Sequence, residues 1–222
     1  GETSKYTQPL HDKEIDVHKA QTQTTLTTAS AEIETGIVDL TLVKKTKGYL
    51  EYSGGKYDTG TEKRFSDELR PPAYKIDTEG FYITIPDGVR DRLSGDLTDT
   101  EEYVSGLHAI EHAMISLLPR EVLCDRRDIG GLSTNYHDWT GKGTIYIHDG
   151  YEGGVGLSAT AHDSLPHLLK ETYELIVNCP CDDGCPSCIH SPHCGNANRK
   201  LSKRHALTIL RECLLDTLDL EP

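Results

Sequence analysis

The chain has 222 residues, a formal net charge of −13, 36% hydrophobic residues and seven cysteines. That length suits one large domain or two small ones with an adequate core. The acidity argues against a free-standing nucleic-acid binder with a broad basic face, although a local basic patch stays open. No run of 18 apolar residues offers a membrane span and no targeting pattern opens the sequence, so the cysteine usage fits a reducing, cytoplasmic compartment. The chain begins Gly1-Glu2-Thr3, and its only methionine is Met114, which reads as a piece of a longer protein.

Residues 1–35 are polar and rich in Thr and Gln, an exposed strand or loop. Gly36 to Lys45 alternates with period two, placing Val38, Leu40 and Leu42 on one face and Asp39 and Thr41 on the other. Tyr49 to Tyr52 reads as its continuation beyond Gly48, and Ser53 to Gly60 as a turn-rich connection. Arg70-Pro71-Pro72-Ala73-Tyr74 resembles an edge segment, since proline cannot donate to a ladder. Phe81 to Ile85 is a strand ended by Pro86-Asp87-Gly88. The expectation is an α+β chain: a small antiparallel β module over residues 1–95, then an α/β domain over 96–222.

From Thr100 the period becomes helical, with Tyr103, Leu107, Ile110, Met114 and Leu117 recurring and Pro119 predicted to close the helix. This helix carries His108-Ala109-Ile110-Glu111-His112, an H-x-x-E-H pattern that in inverzincins binds zinc through the histidines and uses the glutamate as base. Without a downstream acidic ligand the pattern is weak, and ordinary buried histidines explain it as well. Asp125, Arg126, Arg127 and Asp128 form a charged loop expected to pair internally, beside a small buried Cys124. Gly143 to Asp149 reads as a strand, followed by a Gly-rich loop, Gly150 to Leu157. Glycines before a helix can cradle an anion. The spacing matches neither G-x-G-x-x-G nor a P-loop, so close packing is the expected role. Residues 158–177 are helical with a restart at Ser164-Leu165-Pro166.

Five of the seven cysteines fall within Cys179-Pro180-Cys181-Asp182-Asp183-Gly184-Cys185-Pro186-Ser187-Cys188 and the following segment to Cys194. Four thiolates that the backbone can fold around one point make a closed tetrahedral site for Zn²⁺. The predicted ligands are Cys179, Cys181, Cys185 and Cys188, with Cys194 in reserve and His190 and His193 outside the set. Disulfides need an oxidising compartment, and a thioredoxin-type pair would not be crowded by three more cysteines. An iron–sulfur cluster uses similar spacing and stays open. A last helix, capped by Ser202, buries Ala206, Ile209, Leu210, Cys213 and Leu214. Arg199, Lys200, Lys203 and Arg204 at its start form a small basic patch, a candidate nucleic-acid contact.

Taken together, Gly106-Leu107-His108-Ala109-Ile110-Glu111-His112-Ala113, the Cys124 to Gly131 loop, the Asp149 to Leu157 loop and the Cys179 to Asn196 motif resemble the MZB zinc-binding domain. This domain ends a group of superfamily 2 DExH-box DNA helicases of the mitomycin-repair type. The resemblance covers about residues 100–213, and the cysteine motif is its most specific part. It implies an accessory zinc module of a 3′–5′ DNA-unwinding ATPase used in repair, assisting DNA engagement or bracing the motor. Neither a Walker A loop nor a DExH box is present, so ATP and Mg²⁺ would belong to motor domains in cis or to a helicase subunit in trans. The segment itself is not expected to be catalytic. The alternatives are a zinc metallohydrolase using His108, Glu111 and His112, or a standalone phage-defence subunit.

Overall fold

The computed structural model describes residues 6–27, 32–53, 59–89 and 100–214. Seven antiparallel strands form one sheet: β1 (Tyr6–Ala20), β2 (Thr24–Thr27), β3 (Glu32–Tyr52), β4 (Thr61–Arg64), β5 (Tyr74–Ile85), β6 (Ile129–His137) and β7 (Lys142–Asp149). The main path runs β1-β3-β5-β7-β6, with β2 and β4 each paired to β3. Among the described residues from 100 onward the helices are α1 (Thr100–Val122), α2 (Leu157–Asp163), α3 (Leu165–Val177) and α4 (Lys203–Leu214).

The expected α+β class holds, with an antiparallel sheet and helices segregated to one of its faces. One sheet takes strands from both expected regions, because Phe81 pairs with Ile147 and Ile83 with Ile145. Those residues share one core with Leu107, Ile110, Met114 and Leu118 of α1, which brings the two sequence regions into a single hydrophobic layer. Helix α1 is buried on most of its circumference because the sheet covers one side and α3 and α4 the other. All five periodic apolar residues predicted for it, Tyr103, Leu107, Ile110, Met114 and Leu117, are buried.

On the opposite face, Ile15, Val38, Leu40, Leu42, Ile76, Tyr82 and Tyr146 make a second core. The sheet curls around it until the edge strands β1 and β6 come side by side. Lys13 Nζ donates to Gly131 O at 2.9 Å, and a ring nitrogen of His137 bonds Ile15 O at 3.0 Å. Two side chains thus bridge a seam that backbone pairing leaves open, protecting both edges from further strand addition.

Several elements differ from expectation. Pro119 does not close α1, which continues to Val122 and stops at Leu123, where φ is +51°. In the final turn the proline removes one hydrogen bond, a loss the flanking core contacts outweigh. Strand β6 begins at Ile129, inside the segment expected as a charged loop, and runs on to His137 with few apolar residues of its own, Ile129 and Leu132 packing against the two cores. The polar N-terminal region contains the fifteen-residue β1, and no strand forms at 70–73 before β5. Strand β3 does continue through Gly48 to Tyr52; a Cβ at Gly48 would collide with Lys63 O of β4. Most of the Ser53 to Gly60 connection, and the side chains of Cys213 and Leu214, lie outside the described residues. Among the described residues no helix is long and apolar enough to cross a membrane.

One buried titratable group sets a pH limit on this fold. His148 of β7 is fully buried, with Nδ1 bonding Asp149 O at 2.8 Å and Nε2 lacking a partner. Burial lowers its pKa from 6.5 to about 4. The unfolded chain therefore takes up a proton before the folded one, so this contribution is complete above pH 6.5 and is lost as pH falls toward 4. The expected loss is about 3 kcal/mol. Urea unfolding from pH 7 to pH 4 should show a flatter profile for His148→Gln than for the wild type; parallel profiles would mean the ring is not held neutral.

Candidate metal centre and the basic cleft

Helix α3 ends at Val177, and the chain then turns twice to present Cys179, Cys181, Cys185 and Cys188 to one point. The Sγ–Sγ distances are 3.5 Å for Cys179–Cys181 and Cys179–Cys185, 3.6 Å for Cys181–Cys188 and 3.9 Å for Cys185–Cys188. A tetrahedral ion with metal–sulfur bonds of about 2.3 Å spaces its ligands about 3.8 Å apart, so the four sulfurs fit one closed site. Gly184, with φ of +113°, makes the turn between the two pairs, and a Cβ there would strike Ile189. Cys185 O accepts from the N–H groups of Cys188, Ile189 and His190 in a tight turn. The Ser187 N–H donates to Cys185 Sγ and draws its pKa down to about 7, while burial pushes Cys188 up.

Lys203 closes this centre from below. Its Nζ donates to Cys179 O at 2.5 Å and Cys181 O at 2.7 Å and lies 3.8 Å from Cys181 Sγ. The residue is only 7% exposed. A buried ammonium needs compensation, and four thiolates around a dication would carry a surplus of negative charge to supply it. Lys203 thus faces the cysteines, whereas Arg204 is exposed on α4. Arg199 and Lys200 turn toward a cleft and pair with Glu62 and Glu101.

Cys194 stands apart from the four-cysteine group. It lies with His108 and His112, the three ligand atoms falling within 4.8 Å of one another. Cys194 Sγ is 3.6 Å from His108 Nε2 and 2.8 Å from Asn196 Oδ1. Burial raises its pKa, but hydrogen bonds from the two imidazoles outweigh that and bring it down to about 5. His108 and His112 share a helix face, as i, i+4 spacing requires. Glu111 does not join them: its Oε2 accepts from Ser133 Oγ at 2.8 Å, facing β6. The third member of this group is therefore a cysteine 82 positions after His112, beyond the reach of any local motif.

The cleft beside these residues holds about 830 Å³ and runs between the β1–β6 seam, α1 and the segment after Cys188. Eight lysine and arginine side chains line it against three carboxylates, in a chain of net charge −13. Burial, Lys44 and Lys13 lower His11 to about 4, and burial and Lys13 lower Lys44. Burial is the larger cause, and the part due to the neighbouring lysines reflects a local excess of positive charge. Of the charged loop, Arg127 pairs with Asp125 as expected, but Arg126 reaches Ile129 O and Ser191 Oγ and fixes the cleft wall.

The Gly-rich loop after β7 does cradle an anion, and the anion is the protein's own. Asp149 Oδ1 accepts from Ser158 N–H at 2.7 Å; its Oδ2 accepts from Val155 and Leu157 N–H at 2.7 and 3.2 Å. The start of α2 is capped by this carboxylate in place of a local side chain, since Gly156 occupies the cap position with φ of +83°.

The sequence profile of the MrfA Zn-binding domain, MZB, matches residues 110–189. An uncharacterized protein of Methanocaldococcus jannaschii is 41% identical over 111 residues, which are 49% of this chain and 99% of that protein. The chain belongs to the MZB family. The chain also resembles the uncharacterized ATP-dependent helicase YprA of Bacillus subtilis, 36% identical over 83 residues, 37% of this chain and 11% of the helicase. ATP-dependent helicase HRQ1 of Saccharomyces cerevisiae is 25% identical over 175 residues, 72% of this chain and 16% of that protein. The chain thus spans between a tenth and a sixth of these helicases. Likeness of fold reaches the β region as well: a crystal structure of the DUF1998 helicase MrfA bound to DNA superposes with a TM-score of 0.61 at 21% identity, covering 94% of this chain and 26% of the helicase.

Proposed function

We propose that this chain is the non-catalytic, zinc-stapled portion of an ATP-dependent DNA helicase acting in repair, and that its basic cleft engages the nucleic-acid backbone. The four cysteines as ligands of a structural Zn²⁺ are supported by sulfur spacings that suit a closed tetrahedron and by the family's Zn-binding description. Four protein thiolates leave no open coordination position, so this ion braces the fold and does no chemistry. ATP and Mg²⁺ belong to motor domains supplied in cis or by a separate subunit; a relative that this chain matches over 99% of its length supports the second arrangement.

The observation that carries the DNA contact is the cleft. An acidic chain that gathers eight cations around one groove, with Lys44 facing no carboxylate among the described residues, sustains a local field suited to phosphates. Arg199 and Lys200 take part from its rim. Fluorescence anisotropy of a labelled single-stranded DNA across a KCl series should give a log–log slope of about −0.7 per phosphate engaged. Lys44→Ala combined with Arg199→Ala and Lys200→Ala should make that slope shallower by about two and weaken binding several-fold. Binding that ignores these substitutions, or none at low salt, would leave the bracing role alone.

A further inference from the structure

We infer that His108, His112 and Cys194 form a second metal site, separate from the four cysteines, that takes a borderline divalent cation such as Zn²⁺ through two imidazoles and one thiolate. The three ligand atoms converge within 4.8 Å. The His108 Nε2 to Cys194 Sγ distance is 3.6 Å. A tetrahedral zinc with bonds of about 2.0 Å to nitrogen and about 2.3 Å to sulfur holds those atoms about 3.5 Å apart.

Both imidazoles are already oriented for coordination. His112 Nδ1 is 2.7 Å from Ile189 O and His108 Nδ1 is 3.1 Å from Lys200 O. A carbonyl can only accept, so each Nδ1 carries a proton and Nε2 is left as the ligand atom of each ring. Imidazole metal ligands are held in this way, by a backbone acceptor on the other ring nitrogen. Cys194 Sγ also lies 2.8 Å from Asn196 Oδ1, and the protons that the sulfur and the two Nε2 atoms share leave to solvent when the ion binds. Cys194 and His112 are 6% and 5% exposed, yet all three residues line the basic cleft, which gives the ion an entry path.

Three protein ligands leave one position of the tetrahedron unfilled. It opens toward the cleft, where water or an anion held by the surrounding cations completes it. Glu111, bonded to Ser133, takes no part. The ion joins the middle of α1 to the segment after the four cysteines, two places 82 residues apart in sequence.

The test counts metal by elemental analysis on the whole chain after zinc saturation and desalting. The expected content is two ions per chain for the wild type and one each for Cys194→Ala and His108→Asn, with circular dichroism showing both variants folded. With Co²⁺ in place of zinc, the wild-type minus Cys194→Ala difference spectrum should show tetrahedral d–d bands with weaker thiolate charge transfer than a four-sulfur site. A mild chelator should remove one ion from the wild type well before the other. One ion per chain in the wild type, unchanged by Cys194→Ala, would overturn the second site and leave Cys194 as a thiolate paired with His108. Failure of the four-cysteine site instead would appear as one ion in the wild type and none in Cys194→Ala.

Discussion

Replacing Cys185 and Cys188 together with serine should remove at least one metal ion per chain and unfold the helical layer. Metal binding to small four-ligand zinc units is worth on the order of 10 kcal/mol, comparable to the whole stability of an ordinary domain. The dependence here is structural as well as energetic. Cys188 and Ile189 are buried in the same core as Leu107, Ile110 and Met114, and Ile189 O holds His112. If residues 179–189 lose their shape, Ile189 leaves that core and Lys203 loses its carbonyl acceptors and its thiolate neighbours. Elemental analysis and a thermal melt should report lost metal and a lost cooperative transition, and a strong chelator should produce the same melt from the wild type. A variant that keeps its full metal content and its melting temperature would remove these two cysteines from the ligand set. Iron in place of zinc would redefine the centre as a cluster.

Asp149→Ala should cost the fold about 3–5 kcal/mol without altering metal content. The carboxylate is fully buried and accepts three backbone N–H groups from Val155, Leu157 and Ser158. Charge-assisted bonds contribute about 1.5–3 kcal/mol each, and an orphaned buried N–H costs about 1–3 kcal/mol. Gly154 and Gly156, with φ of +71° and +83°, hold the loop in the shape that aims those donors inward, so it has little freedom to find other acceptors. Asp149→Asn keeps the shape but turns an amide NH₂ toward at least one donor, and should fall between alanine and wild type. Urea unfolding measures both. A shift under 1 kcal/mol for the alanine variant would mean that solvent reaches the loop and replaces the carboxylate.

The nearby features of this protein were legible in its sequence because their signals are local. The spacing of Cys179, Cys181, Cys185 and Cys188 implies convergence within ten residues, and the four sulfurs do converge. Val38, Leu40 and Leu42 alternate, Phe81 to Ile85 is an apolar run, and Tyr103 to Leu117 follows a helical period; each is buried on the face its period predicts. The Ser202 cap is equally local, its Oγ accepting from His205 N–H. Sequence offers residues 1–35 only as an exposed strand or loop and carries no signal for β6, because the partners of β1 and β6, more than their own residues, supply the apolar surroundings.

What tertiary structure alone decided is which distant groups share a charge or a ligand point. The pairing of β5 with β7 joins the two sequence regions into one sheet, and its curl brings Lys13 to Gly131, building the cleft. Lys203 reads in sequence as an exposed cation beside Arg204, yet the fold seats it under the cysteines, where a buried charge finds compensation. Cys194 reads as a spare ligand of the nearest cysteines, yet it meets His108 across 86 residues. Sequence spacing constrains only what a few peptide units can reach, and these contacts follow from how the helices and sheet pack.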